Sequence, residues 1–184
     1  MYGVLGEDTT DAETIKAIVA RLVAPRVKIH AKGFGSKDKL LDKGSSEITL
    51  FRGLGYSKFI VCHDSDGAAP SLNHRKVMER VVGPSGVSDD CCVLIPVYMI
   101  ESWILANIEA VTGIFTSWKP NPIANPEKIP DPKGELERLS RAENRKPRYS
   151  PPTHNPQVAK HLDLKIVAKK CPSFRPLLDF LRQP

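Results

Sequence analysis

The sequence predicts an α/β protein: a mostly parallel four-stranded sheet flanked by helices, followed by a Pro-rich connector and a helical extension. Three observations predict it. Short apolar runs alternate with helical patterns through the first hundred residues in the order β-α-β-α-β-α-β-α, which implies parallel strands joined by crossover helices. Two of those runs, Phe59–Cys62 and Cys91–Val97, are largely apolar without alternation, as suits strands covered on both faces. Nine of the sixteen prolines fall between Pro120 and Pro156, so the organisation changes near Trp118, dividing residues 1–118 from residues 119–184.

Taken in order, Tyr2–Leu5 is short, apolar and closed by Gly6, the signature of a strand. Thr10 and Glu13 match a capping box, with Thr10 as N-cap, and Ile15, Ile18, Val19 and Leu22 follow at helical spacing until Pro25 stops the helix. Val27–Ala31 alternates as a second strand. Gly33-Phe34-Gly35-Ser36-Lys37 reads as a turn, because it lacks the GxxxxGK[ST] spacing of a phosphate loop. Asp38–Arg52 is a second helix interrupted by Gly44, and Lys58–His63 a third strand. Asn73–Val82 is a helix ended by Gly83-Pro84. Cys91–Val97 is the fourth strand, and a helix opens at Glu101 and closes at Gly113. The connector holds one helix, about Pro132–Arg145, and beyond it Val158–Leu162 reads as a short helix. Phe174, Leu177, Leu178 and Leu181 give the i, i+3, i+4, i+7 stripe of a last one.

Length and composition limit the function classes. A chain of 184 residues with 41% hydrophobic and 26% charged residues fits one globular domain with an appendage. No apolar run is long enough to span a membrane, and the acidic start of the chain does not resemble a signal peptide, so a cytoplasmic protein with no membrane partner is the expectation. Cys62, Cys91, Cys92 and Cys171 have no CxxC spacing and read as buried thiols. The net charge of +6 is unevenly spread: residues 1–131 hold 15 basic and 16 acidic residues, whereas residues 132–184 hold 12 and 5. A basic tail suits either a solvated helical surface or a polyanion. No GxGxxG fingerprint is present, which argues against a dinucleotide-binding oxidoreductase.

In a parallel α/β sheet, ligands bind beyond the carboxyl ends of the strands. Glu7 and Asp11 follow the first strand, His63-Asp64-Ser65-Asp66-Gly67 follows the third, and Glu101 follows the fourth, so five carboxylates converge on one edge. Clustered carboxylates repel one another unless a cation neutralises them, and hard oxygen donors suit Mg2+ or Mn2+. In Asp-x-Asp both side chains can reach one ion if the backbone turns sharply, which Gly67 permits. Asp11 and Glu101 also read as ordinary first-turn acids of their helices. His63 reads as a hydrogen-bonded structural histidine, with metal binding or proton transfer as the alternatives, and His154 as an exposed residue of the Pro-rich loop, with a catalytic role as the alternative. Trp103 belongs to the core. Phe115, Trp118 and Tyr149 could stack on bases if exposed.

These residues resemble the Toprim fold of topoisomerases, primases and overcoming-lysogenisation-defect (OLD) nucleases, whose signature is a glutamate after the first strand and an Asp-x-Asp after the third. Here they are Gly6-Glu7 and Asp64-Ser65-Asp66. Asp11 and Glu101 match further acids of the OLD type, and the whole chain is similar to small stand-alone bacterial Toprim-like proteins. One departure is Asp8, where the family usually has glycine after the glutamate. The resemblance implies that Glu7, Asp64 and Asp66 are catalytic and hold Mg2+ (or Mn2+), with Asp11 and Glu101 completing a second metal position. It also calls for a cation near the phosphate. The basic segment offers Lys146, Arg148, Lys169, Lys170 and Arg175 as nucleic-acid-binding residues, with Lys169 as the catalytic one. The expected function is a metal-dependent nuclease of a phage-defence or mobile-element system, acting on nucleic acid with a partner ATPase and with self-association left open. The alternatives are a non-catalytic nucleic-acid-binding or partner-docking module, and a metal-dependent phosphatase or nucleotide hydrolase.

Overall fold

A computed structural model describes residues 1–141 and 148–183. Its centre is a sheet of four strands, β1 (Tyr2–Gly6), β2 (Ile29–Gly33), β3 (Lys58–Cys62) and β4 (Cys91–Leu94), all parallel in the order β2-β1-β3-β4. This is the four-stranded parallel sheet flanked by helices that the sequence predicts, in a Rossmann-like arrangement. The strand order reverses direction between β1 and β3, so the crossover helices cover both faces.

Alternation along each strand divides two cores. Val4, Ile60, Cys62, Cys92 and Leu94 face one side and pack with α1 (Thr9–Val19). Leu5, Phe59, Val61 and Val93 face the other and pack with α2 (Lys37–Gly53) and α3 (Pro70–Val77). Gly44 does not interrupt α2. A Cβ there would lie 2.8 Å from Val81 Cγ1, so the glycine lets the helix after β3 approach α2 closely.

Several boundaries differ from the expected ones, each for a local reason. The first helix is capped by Asp8, not Thr10. Asp11 N donates to Asp8 Oδ1 at 3.0 Å and Asp8 N donates to Asp11 Oδ2 at 3.3 Å, a reciprocal capping box built from two aspartates. β2 starts two residues later than the alternation suggests, because its ladder begins opposite Tyr2, where β1 begins. The helix after β3 starts at Pro70, widens into a π-turn over Met78–Val82, and continues through Pro84 as α4 (Gly83–Ser85) to a left-handed cap at Gly86. β4 stops at Leu94 because Pro96 has no N–H for a ladder.

Glu101 opens α5 (Glu101–Ala106) as expected, but Asn107 ends it and the chain goes on as a 3₁₀ segment to Gly113. Asn107 Oδ1 accepts from Asp163 N at 2.7 Å, which fixes that break. The connector is more helical than its prolines suggest. Besides α6 (Pro132–Arg141) it holds α7 (Pro151–Val158), with prolines at the start of the helix where no N–H is needed. Then come α8 (Leu164–Lys170), capped by the Asp163 side chain, and α9 (Arg175–Arg182). The helix expected at 158–162 is instead the turn between α7 and α8. Residue 145, the expected end of α6, lies outside the described residues.

The C-terminal helices share the first core. Leu136, Tyr149, Val158, Phe174, Leu177 and Phe180 are buried in the same cluster as Val4 and Leu94. Trp103 is buried there as expected, edge-on to Phe174, and its indole N–H donates to Ser173 Oγ at 2.9 Å. Phe115, Trp118 and Tyr149 are also buried, packed on one another at 5.9 to 6.3 Å between ring centres, so they are not presented for base stacking. His154 is half-buried rather than exposed, packed on Phe115. All four cysteines are free thiols; Cys62, Cys92 and Cys171 are buried as expected, whereas Cys91, at the start of β4, is half-buried. Among the described residues no helix is long and apolar enough to cross a membrane.

One glycine controls how closely the sheet meets the first helix. A Cβ on Gly33 would lie 2.2 Å from Thr9 N and 2.3 Å from Asp8 C, both rigid backbone atoms. Gly33→Ala is expected to destabilise the protein by about 1–3 kcal/mol through overpacking, read as a lower urea midpoint.

Candidate active site

Every sequence-predicted acid lies at the carboxyl edge of the sheet or on the helix turn facing it. Glu7 follows β1 directly and its Oε1 accepts from Asp64 N at 2.6 Å, which ties the end of β1 to the end of β3. His63 is buried. Its Nδ1 lies 3.0 Å from the Asp64 carbonyl and 3.5 Å from Glu7 Oε1, so a proton on Nδ1 serves both oxygens. The segment after β3 keeps pairing with the chain after β4, through Ser65 N to Pro96 O and Gly67 N to Val97 O. Within it Asp66 takes φ +48° and Gly67 φ +76°, the sharp turn that the motif requires. Gly67 lies against the Tyr98 ring, where a Cβ would approach to 2.5 Å.

The turn separates the two aspartates. Asp64 is buried, and its Oδ1 has no hydrogen-bond partner. Asp66 is exposed and its carboxylate pairs with the Lys37 ammonium. Glu101 is buried at the start of α5, and its Oε1 accepts from Asn155 Nδ2 at 3.1 Å. Asn155 Oδ1 in turn accepts from the Tyr149 hydroxyl at 2.8 Å. α7 therefore holds Glu101 through a buried amide that the sequence reading missed.

The electrostatics follow from this crowding. Burial pushes the Glu7 carboxyl up to about 7, although Lys37 and the Asp64 amide oppose the shift. Burial, then Asp8 and Glu101, push Asp11 up to about 8. Asp64 is raised well above the usual carboxylate range by burial, then by Asp11, Glu7 and Glu101. Glu101 is raised by burial, against the Asn155 bond and the nearby Lys133. Burial and the Lys37 charge lower His63, which favours its neutral form.

Lys37, which ends the Gly33–Lys37 turn that the sequence reading set aside as a phosphate contact, lies at this edge. It opens α2 next to its Ser36 cap. Its Nζ donates to the Asp64 carbonyl at 2.9 Å and lies 3.9 Å from Glu7 Oε1. The rule that located the acids would also have located Lys37, since it stands beyond the carboxyl end of β2.

The C-terminal basic residues are placed elsewhere. Lys170 Nζ donates to Ala106 O at 2.8 Å, at the opposite end of the helix that Glu101 opens. Lys169 lines a cavity there with Glu109 and Asn125. Arg175 Nε donates to Ala168 O at 2.8 Å. Arg148 is exposed and adjoins Tyr149, so its segment is tied to Glu101 through Asn155. Lys146 lies outside the described residues.

A hard divalent cation suits the donors. Glu7, Asp11, Asp64 and Glu101 offer hard oxygen donors, and Asp64 Oδ1 is buried with nothing to bond. The positions are not those of a preformed cage. Among the described residues no group of three or more His, Cys, Asp or Glu side chains stands at metal-holding geometry. Asp11 is engaged by its capping box and Asp66 by Lys37. An ion held here would require these side chains to rotate.

The fold and site define a Rossmann-like parallel α/β protein with buried carboxylates at the C-terminal edge of its sheet. The chain belongs to the family described as a domain of unknown function, DUF4276, which matches residues 6–182. No curated protein and no solved structure matches it.

Proposed function

We propose that this protein is a divalent-metal-dependent phosphodiester hydrolase acting on nucleic acid. The carrying observation is the orphaned Asp64 Oδ1, buried among Glu7, Asp11 and Glu101. Without a counter-charge such a cluster is costly, and evolution toward stability alone favours apolar or amide side chains there. The placement of Glu7 and Asp64-Ser65-Asp66 after the first and third strands supports the reading through the Toprim resemblance.

In this reading Glu7 and Asp64 hold Mg2+ or Mn2+, with Asp11 and Glu101 close enough to add ligands. The ion, when bound, supplies charge stabilisation to the phosphate oxygens and lowers the pKa of a coordinated water. The chain's own groups do the rest. Asn155 and Tyr149 orient Glu101, and the Asp64 amide orients Glu7. His63 is neutral and buried beside Glu7, and a proton on its Nδ1 orients that carboxylate's edge. Lys37 reaches the same edge and offers a cation to the phosphate, the role that the sequence reading gave to the C-terminal segment.

The test is an incubation with plasmid, single-stranded DNA and RNA in Mg2+, in Mn2+ and in chelator. Product in metal and none in chelator is the expected result. A second reading, a binding module without turnover, is favoured by the Lys37 contacts with Glu7 and Asp66, which partly neutralise the cluster without a metal. That reading gives salt-sensitive binding and no product under any condition.

A further inference from the structure

A cavity of about 280 Å³ opens beside the carboxylates, on the side of the sheet covered by α2 and α3. Its polar lining includes Lys37, Asp38, His63, Asp66, Asn73 and Lys76. Two lysines from different helices meet there with different partners. Lys76 is exposed and has no ion-pair partner among the described residues. Lys37 is held by Asp66 and by the Asp64 carbonyl. Between them Asn73 is buried, its Nδ2 donating to Ser65 Oγ at 3.2 Å, which fixes the floor against the motif that carries Asp64.

We infer that this cavity is the subsite for a backbone phosphodiester of a single nucleic-acid strand, with Lys37 and Lys76 as its cations. The inference rests on the proposed hydrolase reading and adds where the strand lies: over α2 and α3, away from the C-terminal helices. The charges support that direction. Against the two lysines stand Asp38 and Asp66, so the cavity is near neutral as it is. A divalent cation at Glu7 would repel the Lys37 ammonium, 3.9 Å from Glu7 Oε1, and favour its turning toward the cavity. The site then carries an excess of positive charge beside the place of hydrolysis. Lys170, by contrast, has its ammonium bonded to the Ala106 carbonyl.

The experiment measures binding, not turnover. Fluorescein-labelled single-stranded oligonucleotides, DNA in one arm and RNA in the other, are titrated with the full chain in Ca2+, and anisotropy is followed across a salt series. Lys37→Gln and Lys76→Gln are each expected to weaken binding on the order of fivefold to tenfold and to reduce the salt slope by about 0.7, with larger effects in the double variant. Lys43→Gln, the same charge change on α2 outside the cavity lining, is expected to keep the wild-type affinity. The arm that binds more tightly identifies the strand chemistry. Wild-type affinity and slope in the double variant overturn the inference, and so does failure of the wild type to bind either strand. The two levels separate cleanly. If the wild type fails to cleave in Mg2+ while the lysine variants lose binding, the hydrolase reading falls and the subsite stands. If it cleaves while the double variant binds normally, the subsite falls and the hydrolase reading stands.

Discussion

Asp64→Asn is expected to reduce metal-dependent cleavage on the order of 10²–10³-fold or more, since a bound ion supplies several kcal/mol of transition-state stabilisation and each 1.4 kcal/mol is tenfold. The substitution is nearly isosteric and removes the charge of a fully buried group whose carboxyl is already driven toward its neutral form by burial and by Asp11, Glu7 and Glu101. The fold is therefore retained, and at pH 8 without metal the variant is expected to melt no lower than the wild type. Glu7→Gln is expected to act in the same way, although it also weakens the contact that Asp64 N makes with Glu7 Oε1. Loss of activity together with unchanged or raised stability separates a lost ligand from a damaged fold. A variant that cleaves at the wild-type rate contradicts the role given to Asp64.

Metal-free protein is expected to lose stability as pH rises from about 4 to about 8. The sign follows from Glu7, raised from 4.5 to about 7, and Asp11, raised from 3.8 to about 8. Folded pKa values above the unfolded ones mean that the folded state binds more protons in that window. The stability they contribute is fully present below the unfolded pKa and is lost as pH climbs through the folded one. A divalent cation replaces those protons. At pH 8, with metal near 100 times its dissociation constant, the stabilisation is about 2.7 kcal/mol, or roughly 5–10 °C in melting temperature for a chain of this size. Asp11→Asn is expected to flatten the pH dependence and to shrink the metal shift. Melting curves in chelator and in Mg2+ at pH 5, 6, 7 and 8 read all three effects. A flat profile with no metal response leaves the carboxylates without a cation to hold.

The acids were legible in the sequence for a topological reason. Continuous apolar runs marked β3 and β4 as buried parallel strands, and the edge rule then placed Glu7, Asp64 and Glu101 without any knowledge of side-chain contacts. How Glu101 is held was not legible, because it depends on α7, whose prolines at 151, 152 and 156 read as connector. Asn155 within that helix is the buried amide that holds Glu101. Asp8 was hidden by a stronger-looking capping box two residues later, Thr10 and Glu13. The competing box wins because Gly33 lets the chain turn immediately after Glu7. The cation was sought where the charge counts were largest. Net charge describes segments, while the site draws on the one lysine that starts α2 at the correct edge.

The claim that these carboxylates hold a divalent cation is tested most directly by a crystal soaked in Mn2+ and measured for anomalous scattering. The account predicts a manganese peak against the Glu7 and Asp64 carboxylates, with the Lys37 ammonium moved away from Glu7 Oε1. No peak at that edge, with Lys37 still bonded to Asp66 and to the Asp64 carbonyl, would contradict it.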